Sequence, residues 1–251
     1  MTDSANGFFD AFVNSRAYKP TDADRKIMAD ATAACRAQIP GSQLRWAGSQ
    51  FKSTAVVGSD LDWCMATPSP ITEAQRRELR THLEQALGRV VRVQSHVLRL
   101  PALGAAPKID IAFANAAFGS RPLPDPTAFG AKPVRQLAAR ALKLWLRAGG
   151  MPRVPGWALE ALVVHLDANG KATAGLQLFQ RVTDWLEQNS TPAVIEGVLR
   201  PAAFPKWNPQ WSAPLPGSLT AMQNAVRALK CRRPAPADWR TVADVEPWLV
   251  G

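Results

Sequence analysis

The sequence predicts an α+β protein with a strand-bearing first part and a helical second part. Three observations carry this expectation. Short apolar runs of strand length lie between amphipathic helical patterns as far as Ala114; a proline-rich stretch follows; beyond it only helical periodicity recurs.

The elements can be taken in order. Thr21 to Gln38 reads as a helix, because Thr21 or Asp22 can cap it and Ile27, Met28, Ala31 and Ala34 fall at helical spacing. Pro40 and Gly41 stop it. Leu44 to Ala47 is a short strand, and Gly48 to Ser59 is polar and turn-like around Ala55, Val56 and Val57. Leu61 to Ala66 is apolar on both sides of Asp62 and reads as a buried strand. After the break at Thr67-Pro68-Ser69-Pro70, Thr72 to Leu87 forms a second amphipathic helix that ends at Gly88. Val90 to Leu100 alternates like one strand, and Ile109 to Ala114 is another. Pro122, Pro124, Pro126 and Pro133 mark Gly119 to Pro133 as a connection. Helices are then expected over Val134–Arg147, Pro155–Leu166, Ala174–Gln188 and Leu219–Lys230, with Pro155 suited to a first helical position. Leu199 to Pro216, rich in proline and tryptophan, reads as irregular. No internal repeat is present.

Composition narrows the function classes. Apolar residues form 47% of the chain and charged residues 20%, an ordinary globular mixture. No apolar run reaches the ~18 residues that a membrane helix needs, and Met1 to Asn14 lacks the pattern of a secretory signal. Cys35, Cys64 and Cys231 are odd in number and far apart, which argues against a disulfide framework or zinc cluster and for a reduced, cytoplasmic setting. His82, His96 and His165 show no ligand spacing. The net charge of +10 favours polyanionic partners: triphosphates, RNA, DNA or anionic lipid.

The chemistry concentrates between Gly48 and Asp62. Asp60 and Asp62 flank one apolar residue, so on a strand both carboxylates project to one face while Leu61 and Trp63 pack on the other. Adjacent carboxylates repel, and a pair of divalent cations removes that cost; carboxylate and phosphate oxygens are what Mg²⁺ prefers. Gly48 and Ser49 can bring a backbone N–H and a hydroxyl close to a phosphate. Asp110, embedded in Lys108-Ile109-Asp110-Ile111-Ala112-Phe113, supplies a third carboxylate if its strand lies beside the first. In a site of two Mg²⁺ or Mn²⁺ ions, one activates an attacking hydroxyl and the other steadies a triphosphate. The bland readings are turn residues for Asp60 and Asp62, and a solvated helix-face charge for Lys143. Ser49-Gln50-Phe51-Lys52 matches Ser-x-x-Lys, but no Lys-Thr-Gly follows, and the Gly-Lys-Ser/Thr of a P-loop is absent.

The Gly-Ser pair, the Lys/Thr-containing loop, Ser-Asp-x-Asp and the later isolated Asp resemble the polymerase-β-like nucleotidyltransferase superfamily. The nearest likeness is to oligoadenylate synthases, bacterial cGAS-like synthases and archaeal-type CCA-adding enzymes. Ala141-Leu142-Lys143-Leu144-Trp145, followed by Val154-Pro155-Gly156-Trp157-Ala158-Leu159-Glu160-Ala161-Leu162, resembles the helical-lobe pattern of these enzymes. The resemblance covers Thr21 to Leu166. It implies a nucleotidyltransferase fold, with a mixed-sheet catalytic lobe over residues 1–120, including an N-terminal helix, and a helical lobe over residues 121–251. By position it gives Asp60 and Asp62 to both metals and Asp110 to the metal that holds the attacking hydroxyl. It gives Gly48, Ser49 and Lys143 to the triphosphate, with Lys52 and Thr54 lining the same loop. Glu160 reads as structural, pairing with a basic residue.

Nine tryptophans occur, and core packing is the expectation for most of them. Phe204 to Trp211, with Lys206, Trp207 and Asn208, is the candidate contact for a base or acceptor. The functional expectation is a synthase that joins nucleoside triphosphates into a short linear or cyclic signalling oligonucleotide, with ATP or dATP as first guess by resemblance. An antiphage defence role, and an activating partner, come by resemblance only. The alternatives are terminal transfer to RNA, tRNA or DNA, which the basic residues Arg227, Lys230, Arg232 and Arg233 favour, and a non-catalytic nucleic-acid-binding protein.

Overall fold

The computed structural model describes residues 3–94, 97–104, 106–113, 128–148, 156–189 and 215–251. The chain separates into two compact units. One gathers Tyr18–Phe51 and Val57–Arg121; the other gathers Met1–Ala17, Lys52–Val56 and Pro122–Gly251. The expected division into residues 1–120 and 121–251 differs on two segments, the first helix and Lys52–Val56, both of which belong with the helices. No helix among the described residues is long and apolar enough to cross a membrane.

The first unit is built on a mixed five-stranded sheet in the order β1-β2-β5-β4-β3. Its strands are β1 (Gln43–Trp46), β2 (Leu61–Ala66), β3 (Arg92–Val93), β4 (Val97–Leu100) and β5 (Ile109–Phe113). β2 and β5 run parallel, and the other neighbours run antiparallel. Within Val90 to Leu100, expected as one strand, β3 and β4 pair antiparallel, with Arg92 facing Arg99 and Val93 facing Leu98. Alternation cannot reveal such a reversal, because period two holds along both strands.

Helices α2 (Asp22–Gln38) and α4 (Glu73–Leu87) pack with one face of this sheet. Each begins in a capping box, Thr21 with Asp24 and Thr72 with Gln75, worth about 1 kcal/mol at each helix start. Gly88 ends α4 in the left-handed conformation, φ 60°, that an L side chain resists. Leu61, Trp63 and Met65 on β2 and Ile109 and Ile111 on β5 are fully buried beside Leu79 and Leu83 of α4. The opposite positions of β2, β4 and β5 are only partly buried, so one face of the sheet stays open.

The second unit packs α1 (Asp3–Ser15), α5 (Pro133–Ala148), α6 (Gly156–Leu166), α7 (Gly175–Gln188), α8 (Leu215–Cys231) and α9 (Val245–Leu249) around one core. α1 was not anticipated as an element of this unit. Ala5, Phe9, Phe12 and Val13 recur at helical spacing and are buried against α5 and α7. Phe179 is a hub: its ring lies 5.7 Å from Phe9, 6.1 Å from Trp145 and 5.7 Å from Trp248. Trp239 joins at 5.3 Å from Trp248, so these tryptophans serve the core. Gly175, the first residue of α7, lets α5 pack close, since a Cβ there would come within 2.7 Å of the Leu137 Cβ. The helix start expected at Pro155 and most of the segment Leu199–Pro216 lie outside the described residues; Leu215 and Pro216 begin α8.

Candidate active site

The open face of the sheet carries the three aspartates. Asp62 and Asp110 are direct partners in the parallel β2–β5 register, which places their Cα atoms on neighbouring strands about 4.8 Å apart. Asp60 precedes β2 by one residue, and its side chain is 53% exposed against 17% for Asp110. Apolar neighbours fix this orientation. Leu61, Trp63, Ile109 and Ile111 turn into the core, and period two sends the carboxylates the other way.

The turn before β2 supports the pair. Gly48 opens a short helix, α3 (Gly48–Phe51), at φ 54°, and a Cβ there would fall 2.2 Å from the Asp62 Oδ2. Only glycine lets the turn pass so close to the carboxylate. The Ala47 N–H donates to the Asp62 carbonyl at 2.8 Å. Gln50 holds both ends of the Asp60–Asp62 segment: its Nε2 donates to the Asp60 carbonyl at 2.6 Å, and its Oε1 accepts from the Asp62 N–H at 3.3 Å. Ser49 lies in the same turn.

Two cations share the carboxylates. The Arg99 guanidinium donates to both oxygens of Asp110, at 2.7 and 2.8 Å. The Lys108 ammonium lies 2.5 Å from Asp60 and 3.6 Å from Asp110. The hydrogen bond from Arg99 to Asp110, with the charges of Asp60 and Asp62, pushes the Arg99 value further up. Among the described residues, no three His, Cys, Asp or Glu side chains form a ready-made metal cage. The donor chemistry nevertheless suits Mg²⁺ or Mn²⁺: hard carboxylate oxygens from two adjacent strands, on an open face, with their charge already demanding cations. Sequence reasoning missed Gln50, Arg99 and Lys108. The alternation of Leu98, Arg99 and Leu100 marks Arg99 as facing the open side, but its partner follows only from the pairing of β4 with β5.

Lys52, Thr54 and Lys143 assemble inside the helical unit, around Glu160. Lys143 Nζ donates to Glu160 at 2.7 Å and to the Thr54 carbonyl and hydroxyl at 3.1 Å. The Thr54 hydroxyl donates to Glu160 at 2.5 Å, and Lys52 forms a short ion pair with the same carboxylate. Gly156 makes room, since a Cβ there would stand 3.2 Å from the Lys143 Cε. Burial pushes the Lys143 ammonium down, against the pull of Glu160. Burial raises Glu160, but Lys143 and Lys52 outweigh it and hold the carboxyl below its usual range. The pairing expected of Glu160 is thus with two lysines. Trp207 and Asn208 lie outside the described residues.

No protein-family model matches the chain, and no curated protein matches it by sequence. Solved structures do match. The CdnC:HORMA-deltaN complex of E. coli MS115-1 aligns over 98% of this chain and 97% of that one, with TM-score 0.64 and 15% identity. The Cid1 poly(U) polymerase with Mg and 3′-dATP bound aligns over 90% and 92%, with TM-score 0.62 and 10% identity. The mtPAP structure in complex with UTP aligns over 91% of this chain and 68% of that one, with TM-score 0.63 and 12% identity. The mixed five-stranded sheet, its in-register aspartates and these likenesses together give the chain the fold of the polymerase-β-like nucleotidyltransferases.

Proposed function

We propose that the chain is a metal-dependent nucleotidyltransferase that joins nucleoside triphosphates into a short linear or cyclic oligonucleotide, in an antiphage signalling role. The observation that carries the chemistry is the register of Asp62 with Asp110, with Asp60 just before β2 and joined to Asp110 through Lys108. In the reaction, a hydroxyl loses its proton to solvent, its oxygen bonds to the α-phosphorus of a triphosphate, the bond from that phosphorus to the bridging oxygen breaks, and pyrophosphate leaves. Asp60 and Asp62 would hold both divalent ions, and Asp110 the ion nearer the attacking hydroxyl. When bound, such ions lower the hydroxyl's pKa and neutralise the charge that builds on the leaving group. The chain's own part is to fix the carboxylates. Gln50 pins the backbone on either side of Leu61, and Gly48 leaves the space that Asp62 occupies. Gly48 and Ser49 are assigned to the triphosphate by the same resemblance.

Lys52, Thr54 and Lys143 form a separate part of the proposal. If phosphate oxygens take the place of Glu160 as partner of Lys143, Lys143→Ala raises the KM for triphosphate. If Glu160 is the permanent partner, the same change lowers the melting temperature and leaves KM unchanged.

The synthase reading is supported by the full-length correspondence with CdnC, a protein solved with a HORMA partner. A protein activator of this chain belongs to the same proposal. Terminal transfer to RNA is the second reading, favoured by the likeness to Cid1, described as an RNA terminal uridylyl transferase, and to the GLD-2 non-canonical poly(A) polymerase. Incubation with Mg²⁺ or Mn²⁺ and each ribo- or deoxyribonucleoside triphosphate, with and without tRNA or DNA, separates the two. Short oligonucleotides resolved by mass without added nucleic acid, and absent with Asp60→Asn, support the synthase. Product formed only on the 3′ end of added RNA or DNA rejects it for terminal transfer. Adenine nucleotides are the first substrates to offer.

A further inference from the structure

Arg99 stands where a metal ligand would be expected to be free. β4 alternates partly buried and buried positions, so Arg99 and Asp110 share the open face and meet as antiparallel partners. The guanidinium takes both Asp110 oxygens in a two-pronged contact at 2.7 and 2.8 Å, the strongest geometry such a pair can adopt. A guanidinium has donors only and can never itself ligate a cation. Lys108 adds a second cation, an ammonium that spans Asp60 and Asp110. Two of the three carboxylates, Asp60 and Asp110, are therefore met by built-in cations before any ion arrives.

We propose that Arg99 is an internal counter-ion that sets the affinity of the carboxylate site for divalent metal, holding Asp110 until metal and triphosphate arrive together. The inference rests on the reading of Asp60, Asp62 and Asp110 as metal ligands. Magnitudes favour a displaceable clamp over a permanent one. The Arg99 and Asp110 side chains are 30% and 17% exposed, so the pair is neither fully buried nor strongly committed. A divalent ion alone has to displace the guanidinium from Asp110 and overcome the field of Lys108. A metal–triphosphate complex brings its own negative charge, which offsets that field and gives the released cations an anionic partner. The site then discriminates against the bare ion. A purely structural role, a cross-strand pair steadying β4 on β5, predicts something else: loss of stability on removal with no change in metal affinity.

The test is Mn²⁺ binding to the full chain by titration calorimetry, without nucleotide, with melting temperatures recorded in parallel. Wild type, Arg99→Gln, Arg99→Lys, Lys108→Gln and Asp62→Asn are compared. The proposal expects Arg99→Gln to bind Mn²⁺ about tenfold more tightly than wild type, a modest charged hydrogen bond in size. Arg99→Lys should fall between them, Lys108→Gln should also gain affinity, and Asp62→Asn should lose binding. An unchanged or weaker Mn²⁺ affinity in Arg99→Gln, with binding lost in Asp62→Asn, rejects the counter-ion role and leaves the metal site standing. Wild-type Mn²⁺ affinity in Asp62→Asn rejects the metal site, and the counter-ion role with it. If Arg99→Gln does not fold, Arg99→Lys and Lys108→Gln decide in its place, and no gain in either rejects the proposal.

Discussion

At the scale of single residues, the site depends on a glycine as much as on its aspartates. Gly48→Ala places a Cβ in the left-handed region and 2.2 Å from the Asp62 carboxylate. The backbone term costs about 1 kcal/mol, and the clash forces Asp62 to move. The variant should keep its fold with a small drop in melting temperature and lose most of its metal-dependent triphosphate binding. Wild-type binding by Gly48→Ala would show that the close approach is dispensable. Asp62→Asn removes a charge and almost no volume, so activity should vanish with the melting temperature held or slightly raised, since one of the adjacent repelling charges is gone. Much of this was legible in the sequence. Two carboxylates around one leucine on an apolar run point to one face by period two alone. Gln50 was not legible, because its contacts with the Asp60 carbonyl and the Asp62 N–H come from the fold of α3 back onto β2.

At the scale of elements, Glu160 on α6 ties Lys143 of α5 to the segment Lys52–Val56. Glu160→Gln would leave two buried ammoniums facing an amide, and should cost about 3–5 kcal/mol, measured by denaturant unfolding. A loss below about 1 kcal/mol would mean that water or another anion compensates the lysines. The pH dependence has a definite sign. Glu160 is held below its ordinary value near 4.5, so its stabilisation is complete above that value and fades as pH falls through the lower folded-state value. Acid unfolding of wild type should therefore be steeper below pH 4.5 than that of Glu160→Gln. α7 offers a second handle. Gly175→Val would drive side-chain atoms into Leu137 of α5, and the melting temperature should fall by several degrees. Helix ends marked by Thr21, Thr72 and Gly88 were readable because capping chemistry is local. The antiparallel β3–β4 pairing was not, because period two is blind to a chain reversal. The membership of α1 in the helical unit was not, because it depends on contacts with α5 and α7 more than a hundred residues away.

At the scale of the whole molecule, a strand-bearing part and a helical part could be expected from the change in periodicity across the proline-rich stretch, and the mixed sheet from the resemblance alone. The allocation of Lys52–Val56 could not, since five residues of a turn-like loop carry no local sign of which core they join. The net charge of +10 fits a substrate with several phosphates without choosing among them. The central claim is that Asp60, Asp62 and Asp110 form a metal-dependent triphosphate site. Its most direct measurement is equilibrium binding of a non-hydrolysable ATP analogue to wild type and Asp62→Asn, with Mg²⁺ and with a chelator, which needs neither turnover nor an activator. The account predicts binding to wild type with Mg²⁺ that weakens at least about tenfold in the chelator and in the variant, the scale of one lost charged contact. Equal binding in all four conditions, or no binding in any of them by ATP and by the other triphosphate analogues, would contradict it.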